Sequence, residues 1–580
     1  MFLVTTGLPE TWCDNDQNLL LGEWCREFKG QINNQDSVVV QKFHWKDRFK
    51  LARDYEYLGN LNNRLLTRFA IVLNTIHQTS FSERYWRIVL GPWLNLMTPI
   101  LWDRYENLRL AFTDYPIMAT KVSQEWDKVP IPDDYVDLLM LMNDDGWNHR
   151  LYSKLIREFF TEARPGFRVE FVEDAHFEAE GRPNRHTLKQ NIGKFLDACL
   201  SKINFHEKVV AYNSYFDLYS LTRLLAGFKQ LPRKYTEFSQ KPALPDVNLD
   251  LRNQELGLNP HTEFERYLDH HYLDLLPVAY LEGYSALRRC ADKISYEANV
   301  ILSAVSHYNN DLFKIWTAGN VEKGSKLFIC EHGGGIPYKM SLTAIHEEIV
   351  SDRKFVWHKE YNPKHLKLPP SKLIKYSGFK RKSREFIALV GWDVPKYPYY
   401  IQSGPVSSLA LEDYAQKRQL IENLDTSSFD ALIIRPAPGD SGWHIREKYI
   451  SDFGNKKISP FRTMDEMLHR SKLVVCTYPS TNMSEAIEAG IPTILLYNAD
   501  LWELRPEFDE LVSVMFANKI FFSDSLEAAA HINTISADPD AWWNSIEIQE
   551  ARNLFHEYCG KADKGWLDEW SGFLKKQLVH

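Results

Sequence analysis

From residue 386 onward, short apolar runs alternate with amphipathic ones. Phe386–Val390, Leu432–Arg435, Leu473–Cys476 and Thr493–Tyr497 are compact and β-branched or aliphatic. Leu411–Leu424, Met464–Arg470 and Ser484–Ala489 carry apolar residues at helical spacing. Strands alternating with helices predict βαβ units on a parallel sheet. Upstream the pattern is less regular. Phe2–Thr5 and Asn18–Leu21, the latter closed by Gly22, are expected as short buried strands. About Arg53 to Leu110 is expected to be helical and aromatic, with a break at Gly91–Pro92. Val136–Met142 fits a strand or a buried helix, and about Thr187 to Asn309 is expected to be mostly helical. Lys326–Cys330 is a strand running into Glu331-His332-Gly333-Gly334-Gly335, and Trp542–Leu578 forms a Trp-bearing helical tail.

Between these halves the composition shifts. Lys359–Glu385 holds nine Lys and Arg against two Glu, with Pro363, Pro369 and Pro370 interspersed. That is the best linker in the chain. The expected division is therefore 1–358, an α/β domain with helical insertions; 359–384, a basic linker; 385–540, a Rossmann-like α/β domain; and 541–580, the tail. A cleft is expected between the two halves.

Composition narrows the function. Of the 580 residues, 44% are hydrophobic and 25% charged, as in an ordinary globular protein. No run approaches 18 apolar residues, so no transmembrane helix is expected, and the N-terminus has no basic-then-apolar leader pattern. The seven cysteines are scattered without a Cys-x-x-Cys pair, which argues for reduced thiols in a cytoplasm and against a zinc site. A net charge of -8 gives no general attraction for nucleic acid. The 17 tryptophans suit packing and sugar stacking alike.

The strongest candidate chemistry lies in Tyr478–Pro492, where a strand meets a small-hydroxyl turn and a helix opens. A helix start presents unpaired N–H groups and a partial positive charge, which suits phosphate. Ser480, Thr481 and Ser484 add hydroxyl donors, Asn482 adds an amide, and Glu485 is expected to accept from ribose. The plain alternative is a capped helix start with a first-turn acid. Arg435, at the end of an apolar strand, suits a phosphate, or else a salt bridge to Asp440. His332 leads glycines Gly333 and Gly334, where free N–H groups and a close ligand approach are expected, and it suits phosphate contact or proton transfer. A lipase-type oxyanion loop shares His-Gly-Gly-Gly, but the chain has no Gly-x-Ser-x-Gly elbow. Glu23, Asp144 and Asp145 are the carboxylates nominated as base; the Asn143–His149 stretch is otherwise a turn.

Several segments together resemble a family of bacterial proteins assigned as transferases and encoded in O-antigen and surface-polysaccharide clusters. The resemblance is carried by Leu3–Thr6, Thr11-Trp12, Leu20–Cys25, Ser82–Trp93, Leu101–Arg104, Asn143–His149, His332–Gly335, Asp440–Trp443 and Ser480–Ala486. The Ser-Thr…Glu-Ala…Gly-x-Pro segment resembles the donor-binding element of two-domain GT-B glycosyltransferases, including enzymes using CMP-activated keto-sugars. The chain departs from that pattern at Ile336-Pro337 and at Pro436-Ala437-Pro438.

The resemblance implies a GT-B-like α/β fold with two Rossmann-like domains. It implies sugar transfer from a nucleotide-activated donor to a surface-polysaccharide or lipid-linked acceptor. No metal or other cofactor and no nucleic acid is expected, and the location is expected to be cytoplasmic, including the membrane's inner face. A nucleotide-sugar epimerase-like enzyme, a polyol-phosphate transferase and a non-catalytic glycan-binding scaffold remain alternatives on the same scaffold.

Overall fold

The computed structural model describes residues 1–13, 17–26, 38–161, 165–173, 208–294 and 296–578. Its framework is three five-stranded sheets, and every strand pair in them is parallel. The α/β class is as expected. The first 358 residues, expected as one α/β unit, carry two sheets.

Sheet 1 is built from β1 (Phe2–Val4), β2 (Asn18–Leu20), β3 (Val38–Val40), β4 (Ala119–Ser123) and β5 (Arg168–Val172), in the order β3-β2-β1-β4-β5. Two long helices, α1 (Arg48–His77) and α2 (Glu83–Asp114), interrupt it. Asp47 caps α1 by accepting from the Phe49 and Lys50 N–H groups, and Ser82 caps α2 through Tyr85 N–H. The break in this region therefore falls at residues 78–82, not at Gly91–Pro92. Gln78 turns the chain in the left-handed region, whereas Pro92 and Pro99 sit inside a continuous and deeply buried α2. A proline removes one backbone hydrogen bond, and burial of this helix outweighs that loss. Helix α3 (Asp145–Phe159) follows β4, preceded by a short helix at Tyr135–Leu141, which settles the 136–142 run as helical.

Sheet 2 comprises β6 (Val209–Ala211), β7 (Val300–Ser303), β8 (Lys326–Cys330), β9 (Arg353–Val356) and β10 (His365–Lys367), in the order β10-β9-β8-β7-β6. Helices α4 (Asp311–Glu322) and α5 (Leu342–Val350) lie between its later strands. The expectation of a mostly helical stretch from about 187 to 309 did not include β6 and β7, because apolar runs of three or four residues have no readable period. The part of that expectation on residues 187–207 lies outside the described residues, as does Cys199. The six described cysteines are free thiols.

The basic segment 359–384 is packed rather than free. It contributes β10, and Leu368, Ser371, Leu373 and Tyr376 are buried.

Sheet 3 holds β11 (Phe386–Val390), β12 (Leu432–Arg435), β13 (Ser471–Cys476), β14 (Thr493–Leu496) and β15 (Phe521–Phe522), in the order β12-β11-β13-β14-β15. Helix α6 (Thr481–Glu488) joins β13 to β14. Helices α7 (Ile546–Cys559) and α8 (Trp566–Gln577) then cross back to sheet 2. There Trp570 packs on Phe355 and donates its indole N–H to the Pro369 carbonyl (2.9 Å), and Phe573 packs on Phe328. One apolar core accordingly joins Phe328 and Phe355 of sheet 2, Ala388 and Val474 of sheet 3, and Trp543 and Trp570 of the tail. No helix among the described residues is long and apolar enough to cross a membrane.

Candidate active site

In an open α/β sheet, ligands bind beyond the carboxyl ends of strands where the strand order reverses. In sheet 3 that reversal lies between β11 and β13. Their ends are tied together, since the Thr477 hydroxyl donates to the Val390 carbonyl (2.9 Å). Tyr478 and Pro479 follow, and Ser480 takes the cap position of α6 in an extended conformation. Its hydroxyl does not cap the helix; it lies within hydrogen-bonding reach of Tyr338. The plain capping alternative is therefore not realised. Among the described residues the N–H groups of Thr481 and Asn482 have no acceptor, and both residues are only half-buried. This helix start is open to an anion.

The glycine turn after β8 seats directly on it. A Cβ on Gly333 would lie 2.1 Å from Thr481 Oγ1, and one on Gly335 would lie 2.8 Å from the Pro479 carbonyl oxygen. One on Gly334 would lie 2.6 Å from the Trp357 ring. The three glycines permit close approach, as expected, but what approaches is another part of the chain. Ser484, expected to face phosphate, is buried and donates to the Gly334 carbonyl (3.0 Å). The carboxyl edges of sheets 2 and 3 are thus locked together at the two motifs that the sequence singled out.

His332 stands exposed at this seam, and its Nδ1 is 3.0 Å from the Tyr308 hydroxyl. The protein mass around it lowers its pKa below the ordinary imidazole value, against the opposing pull of Glu347 and Glu331. The ring is therefore uncharged at neutral pH. Burial, and then Glu347, hold the Tyr308 phenol far above its usual range, so it stays protonated. Behind them Glu347 is buried between Lys354 (2.8 Å) and His307 (3.1 Å). Burial alone would raise this carboxyl, but Lys354 and His307 outweigh it and keep the group ionised.

The remaining candidates are occupied elsewhere. Glu485 lies in the second turn of α6, not the first. It is buried, with Lys372 at 3.1 Å, and so does not face a ribose. Arg435 donates to the Phe461 and Arg462 carbonyls (2.8 and 3.2 Å), holding the loop between β12 and β13. It does not pair with Asp440, which binds His444. Asp144 caps α3 by accepting from Trp147 N–H (2.7 Å). Asp145 is clamped by Lys396 (2.6 Å) and the Tyr397 hydroxyl, fastening sheet 1 to the loop after β11. Glu23 pairs with Arg26 (3.1 Å) at the edge of sheet 1. The nominated carboxylates thus belong to capping and docking contacts around sheet 1.

Sequence reasoning missed Tyr308, Tyr338 and Lys372. Lys372 lies in the expected linker and reaches both Glu485 and the Tyr215 ring (5.7 Å). Tyr215 and Asn213 both have positive φ (63° and 49°) in the loop after β6, a local backbone strain of the kind that gathers at functional sites.

No curated protein matches the sequence. Among solved structures, a protein named as a UDP-N-acetylglucosamine 2-epimerase of Listeria monocytogenes is 12% identical, covering 63% of this chain and 94% of its own, with a TM-score of 0.35. The wall teichoic acid polymerase TagF is 9% identical over 68% of this chain and 100% of its own, with a TM-score of 0.31. The match to a family is of another order, because it runs from residue 1 to residue 574: the chain belongs to the LIC12162 family transferases.

Proposed function

We propose that this transferase is a GT-B-like glycosyltransferase that moves a sugar from a nucleotide-activated donor to a glycan acceptor, lipid-linked glycans included, of a surface polysaccharide. The observation that carries the reading is the seam itself. An uncapped helix start at the switch point of sheet 3 meets a glycine turn from sheet 2, with a neutral histidine beside them. Charge develops on the departing nucleotide phosphate. The free N–H groups of Thr481 and Asn482 and the Ser480 and Thr481 hydroxyls are fixed dipoles suited to receive it. His332, with Nδ1 held by Tyr308, has Nε2 left for the cleft. With the phenol donating to Nδ1, Nε2–H is a donor for the leaving phosphate. In the other tautomer Nε2 takes the acceptor's proton.

The test is thermal shift of the full chain against CMP, UMP, UDP, GDP and ADP, beside a Ser480→Ala/Thr481→Ala variant. A ligand that binds only the native state raises the midpoint by mass action. One nucleotide should stabilise the wild type and not the variant, and CMP would name a keto-sugar donor. A folded protein indifferent to all five nucleotides removes this reading.

A further inference from the structure

The His332–Tyr308 pair is backed by buried charge that the transfer step does not touch. Glu347 of α5, 4% exposed, gives one oxygen to Lys354 of β9 (2.8 Å) and the other to His307 (3.1 Å). An ionised carboxylate can only accept, so His307 turns Nε2–H toward it. His307 and Tyr308 share the single helical turn Ser306–Asn309 that follows β7. That turn is pinned at its start. Ser306 N–H donates to the Ser303 hydroxyl (3.0 Å), and the Asn213 amide donates to the Ser306 hydroxyl (2.8 Å). His307 packs edge-on against the Tyr308 ring, with centroids 4.4 Å apart at 71°. Contacts therefore run unbroken from Lys354 through Glu347, His307 and Tyr308 to the exposed imidazole of His332.

Such an array contributes little stability. Taking a Lys–Glu pair out of water costs about as much as its attraction returns, and apolar residues of similar volume are often as good or better. Its field is another matter, because charges held in a low-dielectric interior are weakly screened. The charges that reach His332 come from the elements packed around it. Glu331, which precedes it, is tied to Trp357 N–H (2.8 Å) and to His358 (3.6 Å). Glu347 lies on α5, Lys354 on β9 and His307 on the turn after β7. His346, beside Glu347 on α5, adds no charge: burial first, then the neighbouring His307, lowers its pKa to about 3. At His332 burial disfavours the imidazolium most. Glu347 and then Glu331 favour it, and His307 and Lys354 oppose it. Of these charges Glu347 has the largest hold on the ring.

We infer that Glu347 is a positioning residue for His332: its fixed charge, seated by Lys354 and His307, governs proton exchange at the imidazole. It touches no substrate, being buried behind the turn that carries Tyr308. A part for that exchange in catalysis rests on the transfer reaction proposed above, whereas the coupling of Glu347 to His332 does not.

The test reads His332 directly and needs no substrate. Diethyl pyrocarbonate acylates imidazole only in its neutral form, and peptide mass spectrometry of the labelled full chain resolves the rate at His332 across pH. The pH of half-maximal rate should fall in Glu347→Gln by about half a unit or more, and should rise in Lys354→Met, because these variants remove charges of opposite sign. Glu347→Asp keeps the charge and should stay near wild type. Each neutralising variant leaves a buried charge unpaired, so Glu347→Gln/Lys354→Met, which removes both, guards against a failure to fold. Its midpoint should lie below wild type, since Glu347 acts on the ring more strongly than Lys354. A merely structural role would change the rates and leave the midpoints alone. Midpoints that stay at the wild-type value, single variants that shift the same way, Glu347→Asp shifting as far as Glu347→Gln, or a double variant at or above wild type each overturn the inference. The two readings fail separately: shifted midpoints in a protein indifferent to nucleotides remove only the donor site, and nucleotide response with unmoved midpoints removes only the coupling.

Discussion

Gly333 lies directly over Thr481: an added methyl would sit 2.1 Å from Thr481 Oγ1. Two segments 148 positions apart in the chain meet there with no space for one more carbon. Gly333→Ala should therefore force the seam between sheets 2 and 3 to open, at a cost of about 1–3 kcal/mol. Thr481→Ala removes the opposing hydroxyl, so the double variant should recover part of the midpoint lost by Gly333→Ala. Additive losses in denaturant melts would show that the two residues are not coupled.

The histidine at the seam yields a kinetic prediction. His332→Ala should reduce turnover by about a hundredfold or more if its ring exchanges a proton in the rate-limiting step. Because its pKa is lowered, the acid limb of the pH–rate profile should lie below the ordinary imidazole value of about 6.5. Tyr308→Phe should lower kcat while KM for the donor stays near wild type, because it frees the ring's orientation without touching the helix start. An unchanged kcat in His332→Ala would exclude the residue from the chemistry.

Asp145 separates docking from catalysis. Asp145→Asn weakens the clamp to Lys396 and Tyr397, and a charge-assisted contact of this kind contributes about 1–3 kcal/mol. The variant should melt earlier, yet turn over normally per folded molecule well below its midpoint. A large fall in kcat with an unchanged midpoint would instead make Asp145 the base.

Glu488, at the end of α6, gives a pH prediction of definite sign. Burial raises its pKa to about 7, partly offset by a hydrogen bond from the Ala562 backbone. A carboxyl whose folded pKa exceeds its unfolded value favours folding in its protonated form. Its contribution is complete below about pH 4.5 and is lost as pH rises toward 7. Buried His346 acts in the opposite direction across part of this range, so the comparison must be between variant and wild type at each pH. Glu488→Gln should be increasingly stabilised relative to wild type from pH 5 to pH 7.5. A difference in midpoint that does not change with pH would refute the assignment.

The sequence made the third sheet legible because each of its longer strands is followed by a helix with its own period. Phe386–Val390 and Leu432–Arg435 appear at the expected bounds, as does Lys326–Cys330 of sheet 2. The two halves of the seam were legible for the same reason, as strand–turn–helix and strand–glycine patterns are local. That they touch each other was not legible. β1 and β2 fall within the expected strands Phe2–Thr5 and Asn18–Leu21, whereas β3 and β6, three residues each, were too short to be read. Tyr308, Tyr338 and Lys372 carry no local mark, since each becomes part of the site only through contacts from distant segments. The acidic candidates show the converse. Asp144 had a real signal, but it was that of a helix cap.

The last described helix bears on how the chain is made. Trp570 and Phe573 of α8 cover Phe355 and Phe328, which belong to a sheet more than two hundred positions earlier. During synthesis sheet 2 leaves the ribosome with that apolar face bare, and it stays bare until α8 emerges. Shielding in the interval falls to chaperones or to transient collapse, and a ribosome that stalls near codon 560 releases a chain whose middle, not its end, is unfinished.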